Sequence, residues 1–428
     1  MNVEVCLRES SGAPRVAELR QHVLALLAQK HQAQKPLGEG QQLDFGSDPL
    51  LASHVQRITL HDVPAGAAPP PTAATVHVHR LYDEEVAEET TDGGDEDGSV
   101  AFQMYLLPAR EFDGVWETLL YESDIKDRLL RYVGTAMRFS DMGVDSRIIS
   151  WNRVVLLHGP PGTGKTSLSK ALAQKVAIRL SHVYQQGHLI EVNAHSLFSK
   201  WFSESGKMVL GMFTKIREIL EDDDAFVCVL IDEVESLTAA RKAAISGNEP
   251  SDAVRVVNAL LTQIDALKRY KNALVITTSN LTGAIDAAFV DRADIKQYIG
   301  PPGASARYDI LSGCLAELSR AGVLAPFEQL LPHASLLPLL PQPPPTFQLL
   351  QGLTVAAQGS QAPRHSMMLH AICLKCEGLS GRALRKLPFL AHAQIGDVSG
   401  GMGIETYLDA LHRAVEMESA VRAELSQS

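Results

Sequence analysis

The stretch Gly159-Pro160-Pro161-Gly162-Thr163-Gly164-Lys165-Thr166 decides the fold of this 428-residue chain. It fits the phosphate-binding pattern G-x-x-x-x-G-K-[ST]; an apolar run over residues 154–157 precedes it and a helical pattern follows from Ser167. The glycines let backbone N–H groups face phosphate oxygens. Lys165 adds a cation toward the β- and γ-phosphates, and the Thr166 hydroxyl can ligate Mg²⁺. This strand–loop–helix context predicts a nucleoside triphosphate site.

The region around this loop predicts an α/β fold. Strand and helix patterns alternate from residue 154 to about residue 300, in the rhythm of a parallel sheet with flanking helices. Five apolar runs are candidate strands, namely residues 154–157, 189–193, 226–231, 274–277 and 296–299. We therefore expect a five-stranded parallel sheet.

Two of these strands end in side chains suited to hydrolysis. The run 226–231 is followed by Asp232 and Glu233. Asp232 would hold the Mg²⁺ shell, and Glu233 would orient or deprotonate the attacking water. The run 274–277 leads to Asn280, which could reach the γ-phosphate or the water, although Ser and Asn are also common where a strand simply runs into a turn.

The N-terminal residues 1–110 predict a small α+β domain. Apolar residues at helical spacing predict a helix over residues 16–27, and alternation predicts a strand over residues 75–79. His77 and His79 would share one face of that strand. No third ligand accompanies them, so a solvated strand face is favoured over a metal site.

An acidic stretch and two further elements follow. Residues 83–98 are rich in Asp, Glu, Gly and Thr, which predicts a disordered loop, with an acidic docking arm as the alternative. An extended piece over residues 100–107 and one helix face over residues 121–139 come next.

The C-terminal residues 304–428 predict a helical lid. Its pattern is interrupted over residues 332–365, where a proline-rich run cannot continue a helix. Helical patterns resume after Met367 and from Glu405.

Composition excludes several classes of protein. With 39 Lys and Arg against 50 Asp and Glu, the net charge of −11 argues against direct nucleic-acid binding. No apolar run approaches a membrane span and no signal pattern is present, so we expect the cytosol or nucleus. The five cysteines, an odd number, are predicted to be free thiols, including the isolated C-x-x-C pair Cys373 and Cys376.

The motifs in order and spacing resemble the AAA+ ATPases. The resemblance rests on residues 159–166, on Asp232 and Glu233, on Asn280, and on residues 285–294 (IDAAFVDRAD). Within that superfamily, residues 197–207 (LFSKWFSESGK) and 378–389 (GLSGRALRKLPF) resemble the pachytene checkpoint ATPases. Residues 327–372 resemble that family poorly, because they are proline-rich where its lid is expected to be helical.

The resemblance implies ATP and Mg²⁺ as cofactors and a homo-hexameric ring with nucleotide at each interface. Arg292 then matches a trans-acting arginine finger and Arg382 a cis-acting arginine of the lid. Trp201 and Phe202 match the aromatic pair that grips polypeptide in the central pore, and a second pore loop would lie within residues 241–251. The implied organisation is an N-terminal substrate- or adaptor-binding domain (1–110), a large ATPase subdomain (111–303) and the lid (304–428).

The implied function is ATP-driven remodelling of HORMA-domain proteins from closed to open forms, through an adaptor. Such an activity would serve disassembly of spindle-checkpoint complexes and control of meiotic recombination and chromosome axes, in the nucleus and cytoplasm and at chromosomes or kinetochores. The alternative within the superfamily is a DNA-acting ATPase of the clamp-loader or helicase type, which the net charge disfavours. A GTPase would need the absent Asn-Lys-x-Asp motif, and a fused metalloprotease the absent His-Glu-x-x-His motif.

Overall fold

The computed structural model describes residues 1–9, 15–33, 37–63, 73–90, 100–122, 124–145, 147–194, 205–237, 252–281, 285–326, 328–351, 360–396 and 401–425. The chain divides into two compact units. The first comprises residues 1–117, 125–158 and 165–298, and the second comprises residues 118–124, 159–164 and 299–428.

The described strands form two sheets, both in the first unit. The strands are β1 (Asn2–Leu7), β2 (Val55–His61), β3 (Thr75–His79), β4 (Ala87–Thr90), β5 (Val100–Leu107), β6 (Val154–His158), β7 (Gln186–Asn193), β8 (Ala225–Asp232), β9 (Ala273–Ser279) and β10 (Ile295–Tyr298).

The described helices fall in both units. They are α1 (Val16–Gln32), α2 (Pro49–His54), α3 (Val115–Thr118), α4 (Ile125–Asp141), α5 (Lys165–Arg179), α6 (Ser205–Leu220), α7 (Asp252–Leu267), α8 (Ala287–Arg292), α9 (Ala304–Arg320), α10 (His333–Leu336), α11 (Phe347–Gln351), α12 (Ala362–Lys375), α13 (Gly381–Ile395) and α14 (Ile404–Leu425). Short 3₁₀ turns occupy Arg110–Phe112 and Leu337–Leu339.

The small N-terminal sheet has the strand order β2-β1-β3, with β1 antiparallel to β2 and parallel to β3. Val3 and Val5 of β1 are fully buried in one core with Leu19 and Val23 of α1. Because side chains alternate along a strand, the intervening residues of β1 point to the opposite face. This arrangement confirms the predicted α+β character of the N-terminal region.

The opposite face of this small sheet is polar and yet buried. His77 and His79 are 5% and 8% exposed, so the expectation of a solvated strand face was wrong. The His77 ring nitrogen Nε2 lies 2.9 Å from Asn2 Oδ1. Burial lowers the pKa of both histidines to about 4, so both rings are neutral near pH 7.

Helix α5, which follows the phosphate loop, supplies the charge that neutralises this face. Lys175 Nζ donates to Glu4 Oε2 at 2.6 Å and to Glu117 Oε1 at 3.0 Å. Burial alone would raise the pKa of Glu4, but its contacts with His61 and Lys175 hold that pKa far below the usual range. Pairing of the buried carboxylate with an ammonium is what makes its burial tolerable.

The large sheet has the strand order β10-β6-β9-β8-β7-β5-β4. The first five strands are parallel neighbours, which confirms the predicted parallel sheet. Strand β5 is added antiparallel to β7, and β4 antiparallel to β5. The sequence analysis placed both added strands in the N-terminal domain 1–110, whereas their hydrogen bonds belong to the ATPase sheet.

Strand β4 also corrects the prediction of a disordered loop over residues 83–98. Its residues 87–90 pair with β5, because backbone groups pair in a ladder whatever the charge of the side chains. Of the remaining residues of that prediction, residues 83–86 belong to no helix or strand, and residues 91–98 lie outside the described residues.

Strand β8 shows that the large sheet is covered on both faces. Val227, Val229 and Ile231 are fully buried in one core with residues of α6 and α7. Phe226, Cys228 and Leu230 alternate with them and are equally buried, and α5 also contacts this strand. A strand that is apolar on both faces is typical of a parallel sheet between helices.

The second unit contains a helical core formed by α9, α12, α13 and α14. Its largest fully buried side chains are Tyr308 and Tyr407. The Tyr407 hydroxyl donates to the carbonyl oxygen of Pro388, the proline inside α13, at 2.6 Å. Between α9 and α12, the described residues form the short elements α10, the 3₁₀ turn and α11, as expected where prolines interrupt a helix.

Candidate nucleotide-binding site

The site residues of the first unit follow the carboxyl ends of neighbouring parallel strands. In β6 and β9 the paired residues include Leu157 with Thr278 and His158 with Ser279, and β9 pairs in turn with β8. Asp232 ends β8, and Asn280 directly follows β9 and is partly buried. Ligands of open α/β sheets bind at this edge.

Three oxygen-bearing side chains meet at this edge. The Thr166 hydroxyl donates to both carboxylate oxygens of Asp232, each at 3.1 Å. The Thr278 hydroxyl donates to Asp232 Oδ1. Hydroxyl and carboxylate oxygens are the ligands that Mg²⁺ prefers, so this group fits a magnesium ion bound together with phosphates.

Glu233 lies beside this group in a strained backbone conformation. Its φ angle is +60°, unusual for a residue other than glycine, and its N–H donates to Thr278 Oγ1 at 3.2 Å. Strain of this kind occurs at functional sites. The side chain of Glu233 is exposed, so its carboxylate is not committed to the core.

Arg292 is held by an acidic partner on the same unit. At the end of α8, its Nε and Nη2 donate to the Asp265 carboxylate, with the shortest contact at 2.7 Å, and its Nη1 donates to the Ala288 carbonyl oxygen at 2.8 Å. Burial would raise the pKa of Asp265, but hydrogen bonds from Arg292 and Lys268 outweigh it and lower that pKa.

The second unit contains the phosphate loop 159–164 and Arg382. Gly159 has φ +145°, and a Cβ added there would lie 2.1 Å from the Ile299 carbonyl oxygen, so only glycine fits. A Cβ on Gly162 would lie 2.7 Å from Ser380 Oγ. The N–H of Arg382 donates to the Gly162 carbonyl oxygen at 3.1 Å, which places this arginine beside the loop with an exposed side chain.

Two further features complete the chemistry that these residues can perform. Lys165 is the first residue of α5 and is 5% exposed. A buried ammonium and a helix N-terminus both favour a bound anion. The residues of the first unit fit a magnesium ion bound with phosphates, and the loop of the second unit fits phosphate groups.

The comparisons with known proteins agree with this chemistry. The model "ATPase family associated with various cellular activities (AAA)" matches residues 155–301. The models "TRIP13 N-terminal domain" and "TRIP13-like, AAA+ ATPase lid C-terminal domain" match residues 1–83 and 303–419. The pachytene checkpoint protein 2 homolog of Rattus norvegicus is 47% identical over 432 residues, 100% of this chain and 95% of the relative.

The chain belongs to the pachytene checkpoint protein 2 family. It is therefore an AAA+ ATPase. The homolog of Xenopus tropicalis is 53% identical over 82% of this chain and 78% of the relative. The solved structure of C. elegans PCH-2 has a TM-score of 0.74 at 31% identity and covers 98% of this chain and 99% of that one. The lid model of the family runs through the proline-rich segment 332–365.

Family membership does not assign roles to the individual site residues, so their roles remain predictions. The structure gives the positions of those that it describes. The structure brings together Thr166 and Asp232 in one unit, and the loop with Arg382 in the other. Trp201, Phe202 and the second pore loop 241–251 lie outside the described residues.

Sequence reasoning missed two residues of this site. Thr278 could have been found, because it places a hydroxyl near the end of an otherwise apolar strand. Asp265 gave none, because it precedes Arg292 by 27 positions and reaches it only in the fold.

Among the described residues, no group of three or more His, Cys, Asp or Glu could hold a metal by itself. The buried pair His77 and His79 therefore has no third ligand of these types among them. No helix in the described part of the chain combines the length and apolarity needed to cross a bilayer.

Proposed function

We propose that this ATPase remodels HORMA-domain proteins from closed to open forms, as a homo-hexameric ring and through an adaptor. The family supports this proposal, since the relatives are checkpoint proteins by name. A solved structure titled "Structure of E. coli MS115-1 HORMA:CdnC:Trip13 complex" shares the fold at 16% identity, with a TM-score of 0.51 over 72% of this chain and 93% of that one. A kinetically trapped protein complex needs external work, and ATP hydrolysis supplies it.

The observation that carries the hydrolytic part is the group formed by Thr166, Asp232 and Thr278 next to the exposed Glu233. Mg²⁺, when bound, would neutralise charge on the phosphates beside Thr166 and Asp232. The loop amides and Lys165 would hold the phosphates. Glu233 would orient or deprotonate the attacking water, and Asn280 would position that water or the γ-phosphate.

The two arginines would act from different subunits. Arg382, whose backbone is bonded to the loop, would neutralise phosphate charge in cis. Arg292 would act on the nucleotide of a neighbouring subunit, and to do so its guanidinium must exchange the Asp265 carboxylate for a phosphate, both of which it binds with the same planar fork. In the proposed ring, each interface would give Arg292 such a phosphate.

The mechanical part would belong to Trp201 and Phe202. Large aromatic side chains on a pore loop would grip a polypeptide by apolar contact while they touch no phosphate. Remodelling of this kind would place the protein in the nucleus and cytoplasm, at chromosomes or kinetochores.

The test is the full-length Glu233→Gln variant, which should bind ATP without hydrolysing it. With ATP and Mg²⁺ it should sediment as a large oligomer and retain a HORMA-domain protein, whereas the wild type should release it. Glu221→Gln, an exposed change directly after α6, is the matched control and should behave as wild type.

Three results would contradict the proposal. Normal ATP turnover by Glu233→Gln would show that Glu233 is not the residue that activates the water. A hydrolysis-dead variant that stays monomeric and ignores HORMA-domain proteins would leave the ATPase but reject the remodelling ring. Tight, strongly salt-dependent DNA binding would favour a DNA-acting ATPase instead.

A further inference from the structure

The hydroxyl of Tyr121 is an orphaned polar group in the second unit. Its oxygen is buried and has no hydrogen-bond partner among the described residues. Burial raises the pKa of this phenol, and no neighbouring charge or hydrogen bond contributes to the shift. The phenol therefore remains a neutral O–H donor at physiological pH.

This hydroxyl lies against the phosphate loop. A Cβ added to Gly164 would lie 3.3 Å from the Tyr121 oxygen and 3.1 Å from Leu119 Cδ2. Gly164 is the last loop residue before Lys165. A Cβ added to Gly162 would instead lie 2.7 Å from Ser380 Oγ and 3.3 Å from Arg382 Cβ. The Tyr121 hydroxyl thus lies against the loop and has no hydrogen-bond partner among the described residues.

A buried hydroxyl without a partner is costly, and nearly all buried polar groups in folded proteins are satisfied by protein, water or ligand. The group beside this one is a loop whose function is to hold a nucleotide. We infer that the Tyr121 hydroxyl donates a hydrogen bond to the bound nucleotide, so that Tyr121 is a nucleotide-contacting residue. It takes no part in bond breaking, and it strengthens binding because the nucleotide satisfies a donor that has no partner among the described residues.

The test is Tyr121→Phe in the full-length protein, which removes a single oxygen atom. Isothermal titration with ADP and Mg²⁺ should show binding weakened by roughly two- to tenfold, the range of one hydrogen bond. Thermal denaturation without nucleotide should show a melting temperature equal to or slightly above that of the wild type, because the variant loses an unsatisfied buried group. The variant should therefore bind ADP more weakly although the fold is no less stable.

Tyr407→Phe is the matched control in the same unit. Its hydroxyl is already bonded to the Pro388 carbonyl oxygen, so its loss should lower the melting temperature and leave ADP affinity unchanged. Titration with 2′-deoxy-ADP identifies the acceptor. An undiminished difference between wild type and Tyr121→Phe excludes the ribose 2′-hydroxyl as the acceptor, and its disappearance assigns the bond to that hydroxyl.

Two outcomes would overturn the inference. Equal ADP affinity in wild type and Tyr121→Phe would show that the hydroxyl does not meet the nucleotide. A lower melting temperature together with weaker binding would assign Tyr121 a structural role. Neither measurement involves a HORMA-domain protein or ATP turnover, so the result stands apart from that of the proposed remodelling.

Discussion

Replacement of Gly159 by alanine tests whether the phosphate loop has only one possible backbone path. A Cβ at this position would lie 2.1 Å from the carbonyl oxygen of Ile299, closer than real Cβ atoms come to other atoms. The clashing atom belongs to the backbone, so no side-chain rotation relieves it. The loop would have to move by about 1 Å, and a misplacement of that size costs roughly 10²-fold in activity. The φ angle of +145° adds about 1–3 kcal/mol of strain.

Gly134→Ala is the control, since it makes the same chemical change in open space. Gly134 lies exposed inside α4, and an added Cβ meets no atom within 4 Å. The control should gain up to about 1 kcal/mol of stability and keep its ATPase rate. Gly159→Ala should lose ADP affinity in isothermal titration and ATPase activity by about two orders of magnitude.

Thermal denaturation of both variants separates the loss of binding from the loss of the fold. The reasoning would be refuted if Gly159→Ala bound ADP with wild-type affinity, because the loop would then have a second path that holds phosphate equally well. It would also be refuted if Gly134→Ala were as damaging as Gly159→Ala, because the effect would then not depend on the Ile299 contact.

Two further predictions concern the first unit. Thr166→Ala should require more Mg²⁺ and hydrolyse ATP about 10–100-fold more slowly, because Asp232 loses the hydroxyl that orients it. Thr166→Ser, which keeps the hydroxyl, should retain the wild-type Mg²⁺ requirement and rate. An unchanged Mg²⁺ dependence of the ATPase rate in Thr166→Ala would contradict this prediction. Burial lowers the pKa of His79 to about 4, so the folded protein favours the neutral ring. The free energy of unfolding is therefore not reduced by His79 above about pH 6.5, where the ring is neutral in both states. It falls as the pH drops from about 6.5 toward 4, because the unfolded state takes up the proton first. At pH 5 the loss should be about 2 kcal/mol, and His79→Gln should lack it in denaturation measured at pH 5 and 7.5. Parallel losses in both proteins would reject that assignment.

Much of this protein could be predicted from local sequence. The phosphate loop, the five parallel strands and the Asp232–Glu233 pair are readable because each depends on neighbouring residues, namely an apolar run followed by glycines or by carboxylates. The motif order further indicated the AAA+ ATPases, and the family matches confirm that membership.

The rest was decided by contacts between residues far apart in the chain. The sequence of β4 is acidic and therefore predicts disorder. The strand forms because its backbone pairs with that of β5, and no local sequence pattern indicates this pairing. His77 and His79 alternate like residues of a solvated face, but other parts of the first unit bury that face, where Lys175 of α5 pairs with Glu4.

The same reason explains the site residues that the sequence left out. Asp265 can hold Arg292, and Tyr121 can face Gly164, only because the fold brings together positions 27 and 43 residues apart. The sequence by itself determined that this protein binds and hydrolyses a nucleoside triphosphate, because the residues for that chemistry lie in contiguous motifs. Tertiary structure alone decided which side chains orient, neutralise or complete it, since hydrogen bonds and ion pairs depend on distance in space and leave no periodic trace along the chain.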